Sequence, residues 1–207
     1  MTIRVAVIES NPVAREFLCR VVRESFSDEL QIDQAADAAS GLTATLGPDA
    51  SGAARPPCKL VLIDLDLPGH GALNLLSELK EHPALRIVTT LFADDEHLFP
   101  AVRRGAQGYL LKEDRLESVV EALQQIARGH WPLPPSLARR MMSHLWPAAA
   151  EEPSRKEGAP AASIARAALA CFARGLSPKE TARHLGTGAE DIRAAVRTLY
   201  GLCQQGM

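Results

Sequence analysis

Five polar residues stand where apolar runs end: Glu9 and Ser10 after IRVAVI, Asp64 after KLVLI, Thr90 after RIVT and Lys112 after GYLL. A carboxylate at the end of a buried run is costly unless something pairs with it or uses it. If Glu9 and Asp64 converge, their repulsion favours protonation of at least one unless a cation neutralises them. Mg²⁺ suits such a place, because it takes hard oxygen ligands, often one or two carboxylates completed by waters and phosphate. An ionised aspartate beside that cation can attack phosphorus while a lysine neutralises the developing charge. Lys112 can be that lysine, and the Thr90 hydroxyl can donate to a phosphoryl oxygen. Blander roles stand beside these. Asp66 reads as a solvated turn carboxylate, Ser10 as a helix-capping hydroxyl, and a one-residue slip would put Thr89 in place of Thr90.

Short β-branched runs of strand length occupy Ile3 to Ile8, Leu30 to Ile32, Lys59 to Ile63, Arg86 to Thr90 and Gly108 to Leu111. Helix-length stretches separate them. Asn11-Pro12 reads as an N-cap followed by proline at the first helical position, and Leu116, Val119, Val120, Leu123 and Ile126 recur at helical spacing. Strands alternating with helices imply parallel β-α-β units, hence a flavodoxin-like, doubly wound, five-stranded parallel sheet over residues 1–128. Ligands of such sheets sit beyond the carboxyl ends of the strands, which is where Glu9, Asp64, Thr90 and Lys112 fall.

Residues 129–158 read as a linker, with prolines at 132, 134, 135, 147 and 153 and the run EEPSRKEG. Met141, Met142, Leu145 and Trp146 interrupt it and predict a short helix packed on the first domain. Residues 159–207 carry no strand pattern. SPKE at 177–180 is a capping box, TGAE at 187–190 reads as a second, and Gly186 between them is a C-cap. The result is a small all-α helix-turn-helix domain, preceded by a helix over Ile164 to Ala173. Charge divides with the architecture: 13 Lys+Arg against 19 Asp+Glu over residues 1–128, but 6 against 3 over 159–207. The four cysteines form no C-x-x-C pair, so reduced core thiols are expected. No apolar run approaches the roughly 18 residues of a membrane span, and the N-terminus lacks a secretory pattern, so a cytoplasmic location is expected.

Glu9, VLIDLDLPG with Asp64, Thr90, and GYLLK with Tyr109 and Lys112 resemble the receiver domains of two-component response regulators. GAQGYLLKEDRLESVVEALQQIARG is similar to the NarL/FixJ branch. The resemblance implies phosphorylation of Asp64 by a sensor histidine kinase, with Mg²⁺ held by Glu9, Asp64 and the residue at Ser10. It also implies a switch made by Thr90 and Tyr109, and Lys112 as the pocket's lysine. The family usually has a second acid where Ser10 stands, which predicts weaker cation binding. Pro100, inside DDEHLFPAVRRG, predicts a kink in the fourth helix.

ARGLSPKETARHLGTGAEDIRAAVRTLYGLC resembles the helix-turn-helix of LuxR-type DNA-binding domains, whose second helix lies in the major groove. The resemblance implies a phosphate contact at Lys179, with Arg193 and Arg197 on one face of the second helix turned to DNA, in a homodimer. Thr181 and Thr187 replace large aliphatics of the family, and its usual fourth helix would lie past Met207. The expected function is transcription regulation by a phosphorylated, non-enzymatic response regulator. The alternative is an atypical receiver that works without phosphate as a protein-interaction regulator. A phosphatase reading, with Asp66 as acid/base and Asp94-Asp95 as a metal pair, is disfavoured because Lys112 follows that pair instead of preceding it.

Overall fold

The computed structural model describes residues 2–48, 55–91, 95–112, 114–146 and 161–205. Asp94 and the side chain of Asp95, the alternative metal pair, lie outside the described residues, as does the linker from 147 to 160. The chain divides into two compact units, residues 1–93 with 104–128 and residues 94–103 with 129–207.

The first unit is built on β1 (Ile3–Ile8), β2 (Leu30–Ala35), β3 (Cys58–Asp64), β4 (Leu85–Thr90) and β5 (Gly108–Leu111). They form one parallel sheet in the order β2-β1-β3-β4-β5. Around it lie α1 (Pro12–Ser25), α2 (Ala38–Leu46), α3 (Gly71–Glu78) and α5 (Leu116–Ala127). Val5 to Ile8 and Val61 to Ile63 are all 0% exposed, so these strands are apolar on both faces because the sheet is covered on both. Burying each such aliphatic side chain is worth about 1.5–3 kcal/mol. At Gly41 on α2 an added Cβ would come within 2.9 Å of the Ile8 side chain, so only glycine lets that helix approach β1 so closely.

Asn11 caps α1 as its sequence suggests: its side-chain oxygen accepts from the Val13 and Ala14 amides at 2.9 and 3.3 Å. β2 runs three residues past the apolar stretch Leu30–Ile32, because Asp33, Gln34 and Ala35 continue the ladder opposite Ala6, Val7 and Ile8. Asp33 is polar for a reason invisible in strand periodicity, since its carboxylate pairs with Arg4 at 2.6 Å.

The second unit contains α4 (Asp95–Arg103), α6 (Pro135–Leu145), α7 (Ala161–Ala173), α8 (Pro178–Leu185) and α9 (Ala189–Gln204). α6 packs against α4, α7 and α9 within this unit, so the expected short helix around Met141 and Leu145 meets α4, which lies within residues 1–128, as well as the C-terminal helices. Its buried stripe is Leu137, Ala138 and Met141, and α7 offers the buried, mostly small residues Ala165, Ala168 and Leu169. α4 also groups here, against α6 and α9. Phe99 meets His144 edge-on at 5.2 Å and lies 5.8 Å beneath the Arg140 guanidinium. α4 keeps its helical course through Pro100, whose missing N–H leaves the Glu96 carbonyl without its intrahelical donor. All four cysteines are free and buried, and burial pushes the Cys203 thiol up to about 12, which keeps it inert.

Candidate functional site

The strand order reverses between β1 and β3, and at the carboxyl edge of that crevice the chain places Glu9 and Asp64, each 1% exposed. Their positions are set by backbone pairing that outlasts the strands. The Glu9 amide donates to Ala35 O at 3.0 Å, Leu65 to Thr89 O at 2.9 Å, and Lys112 to Thr90 O at 2.9 Å. Lys112 is thereby aimed between the two carboxylates. Its Nζ donates to Asp64 Oδ1 at 2.6 Å and to Glu9 Oε2 at 3.1 Å, closing a contact across 103 residues of sequence. The other Glu9 oxygen accepts from the Asn11 amide at 2.9 Å, and Asp64 Oδ1 also accepts from the Asp66 amide at 3.1 Å.

The electrostatics follow from burial. Desolvation, then the repulsion of Asp64, holds the Glu9 carboxyl above its usual range, although the Asn11 amide and Lys112 oppose this. Burial alone would lower Lys112, but the hydrogen bond and charge of Asp64, joined by Glu9, outweigh it and hold the ammonium above its ordinary value. Two carboxylates and one ammonium leave the pocket one negative charge in excess.

Asp66 is closer to this chemistry than its sequence position suggested. It is half exposed, and its Oδ2 stands 3.9 Å from Lys112 Nζ. Ser10, by contrast, is exposed. Thr89 and Thr90 are both buried; Thr89 lies opposite Asp64 in the ladder, with its hydroxyl lacking a hydrogen-bond partner. Tyr109 sits half-buried on β5, where desolvation and then Asp114 raise its phenol.

No group of three or more His, Cys, Asp or Glu side chains among the described residues is placed to hold a metal by itself. The donor set nonetheless fits Mg²⁺, which needs only one or two protein carboxylates when it keeps waters, and the uncompensated negative charge favours it.

In the second unit, Ser177 and Glu180 form the anticipated reciprocal cap of α8, with Ser177 N donating to Glu180 Oε2 at 2.8 Å and Glu180 N to Ser177 Oγ at 3.3 Å. Gly186, at φ +66°, ends the helix in the left-handed region that glycine tolerates, and Thr187 N reaches back to Ala182 O at 3.0 Å. The next cap differs from the sequence reading. Gly188, not Thr187, precedes α9, and Asp191 accepts the Gly188 amide at 2.9 Å, leaving Glu190 to pair with Arg193.

Lys179 is exposed near the start of α8. Arg193 is engaged: it donates to Glu190 through Nε at 3.0 Å, and its Nη1 lies 2.6 Å from His130 Nε2. Arg197 is exposed, but its guanidinium lies so near Gly129 that a Cβ there would stand 3.1 Å away. The segment after α5 thus touches both candidate groove-facing arginines, which no pattern in the sequence announced.

A parallel sheet in this order, with two carboxylates and a lysine gathered at its carboxyl edge, defines a receiver-type domain. No model of a protein family matches the chain. It is 29% identical over 140 residues to the nitrate/nitrite response regulator protein NarL of Escherichia coli (strain K12), covering 67% of this chain and 64% of that one. It is also 24% identical over 198 residues to the uncharacterized transcriptional regulatory protein YhcZ of Bacillus subtilis (strain 168), covering 95% and 87%. The crystal structure of a LuxR-family two-component response regulator from an Aurantimonas species shares the fold, with a TM-score of 0.54 at 21% identity over 70% of this chain and 98% of that one. The chain is thus similar to response regulators of the NarL type. It spans 61 to 65% of the length of the first curated relatives it matches.

Proposed function

We propose that the protein is a cytoplasmic response regulator controlling transcription, phosphorylated on Asp64 by a sensor histidine kinase and binding DNA as a homodimer through α8 and α9. Its domains are then a receiver over 1–128, a linker over 129–158 and an output domain over 159–207. The observation that carries this reading is Lys112 Nζ at 2.6 Å from Asp64 and 3.1 Å from Glu9.

In the proposed transfer, the Asp64 carboxylate attacks the phosphorus of a phosphohistidine. An O–P bond forms as the N–P bond breaks, and the imidazole leaves with the electron pair of that bond and is protonated. Glu9 and Asp64 would hold Mg²⁺, which supplies charge neutralisation at the transferring phosphoryl group. Ser10 lends at most a neutral oxygen, so binding is weaker than with a third acid. Lys112 exchanges its bond to Asp64 Oδ1 for one to a phosphoryl oxygen, and the Thr90 hydroxyl donates to another, with Tyr109 completing the switch. In the output, Lys179 and Arg197 contact phosphates or base edges directly, whereas Arg193 must first give up His130.

Incubation with acetyl phosphate and Mg²⁺, followed by intact-protein mass spectrometry, tests the receiver half. One acid-stable, base-labile phosphoryl addition is expected in the wild type and none in Asp64→Ala. The same addition in Asp64→Ala, or none in the wild type, would sink the reading.

A further inference from the structure

The opposite edge of the sheet, where the strands begin, carries a cavity of about 430 Å³ with a concentration of positive charge. Two guanidiniums buried nearby are structural. Arg4, 2% exposed, pairs with Asp33 and donates to the carbonyls of Ala44, Thr45 and Pro56. Arg86, 6% exposed, donates to the carbonyls of Leu79, His82, Ala84 and Gly105, with the charge of Glu81 acting on it. Their field reaches the cavity wall: His82 is held below its ordinary value by burial and then by Arg86 and Arg4.

Arg55 differs from both. It is the second cation on the single carboxylate of Asp33, at 3.1 Å, and its Nε is buried with no hydrogen-bond partner. A buried N–H without an acceptor is costly, and two guanidiniums, Arg4 and Arg55, on the one carboxylate of Asp33 leave a local excess of positive charge. Leu46, Pro48, Pro56 and Pro57 supply the apolar half of the cavity's wall, and polar atoms supply the other half. The volume lies within the range of about 300–1,000 Å³ usual for small-molecule sites, and the apolar patch beside Arg55 offers a ligand both kinds of contact.

We propose that this cavity binds a small organic anion, a carboxylate or phosphate monoester on an apolar body, with its charged group on Arg55 and its body against Leu46 and the prolines. The site lies on the edge opposite Asp64, so it stands or falls independently of phosphorylation.

Calorimetric titration of the full chain with benzoate, phenyl phosphate and benzyl alcohol tests it. Saturable binding of at least one anion is expected, with benzyl alcohol weaker by about tenfold or more. The tighter of the two anions identifies the charged group. Arg55→Gln, which deletes the unpaired donor, and Leu46→Glu, which places a negative charge at the half-exposed mouth, should each weaken the anion by about tenfold with melting temperature unchanged. The proposal is overturned if neither anion binds saturably at about 10 mM, if the alcohol binds as well, or if both variants bind like the wild type.

Discussion

Replacing Lys112 with methionine would leave Glu9 and Asp64, each 1% exposed, facing one another without a cation. Breaking a buried ion pair by removing one partner costs about 3–5 kcal/mol, because the other charge stays desolvated. Lys112 is itself 11% exposed, and water can reach the gap it leaves, so a loss near the lower figure is expected. The loss depends on pH in a definite direction. Glu9 already sits above its ordinary value of 4.5 in the folded protein, and removing the ammonium pushes it higher still. The folded variant therefore binds a proton more tightly than the unfolded chain, so its stability falls as pH rises from 4.5 through the raised value and returns as pH is lowered. Each pH unit in that window contributes up to about 1.4 kcal/mol per proton. In urea unfolding, Lys112→Met should be about 3 kcal/mol less stable than the wild type near pH 7.5, with a deficit smaller by about 1 kcal/mol or more near pH 5. Adding Glu9→Gln should restore much of the loss at the higher pH. Equal deficits at both pH values, or a deficit under about 1 kcal/mol, would show that Lys112 does not bridge two buried carboxylates.

Thr181 is 0% exposed and its hydroxyl has no partner, so Thr181→Val should stabilise the second unit by about 1 kcal/mol and raise its melting temperature. Arg86→Met strands four carbonyls and should cost about 3 kcal/mol or more in chemical denaturation. Ser10→Asp adds an acid at the exposed position beside Glu9, and should tighten Mg²⁺ binding by about tenfold in calorimetry. Arg197→Ala should weaken DNA retention across sequences and reduce the salt slope by about one for each contact removed.

The sheet was legible in the sequence because its strands are short β-branched runs buried on both faces, and four of their polar ends mark one edge. Glu9, Asp64 and Lys112 could be placed together from parallel topology alone, since each follows the last apolar residue of its strand. Arg4 and Arg86 were not legible. Each reads as a surface charge at a strand's start, and only the carbonyls that converge on them in three dimensions explain their burial. Asp66 looked like a turn residue because its backbone is one, yet the same turn brings its carboxylate within 3.9 Å of Lys112. The apolar face of α4 is visible as periodicity, but periodicity does not say which neighbour it meets. Gly188 displaced Thr187 as the cap because Asp191, one residue beyond the Glu190 of the expected box, reaches the Gly188 amide.

The most direct observation would be chemical identification of the phosphorylated residue. Borohydride reduces an aspartyl phosphate to homoserine, which peptide sequencing by mass spectrometry can locate. After incubation with acetyl phosphate and Mg²⁺, homoserine is expected at position 64 and nowhere else. Homoserine at Asp66 or another acid, or none while phosphate is demonstrably bound, would contradict the assignment of Asp64 as the phosphoacceptor.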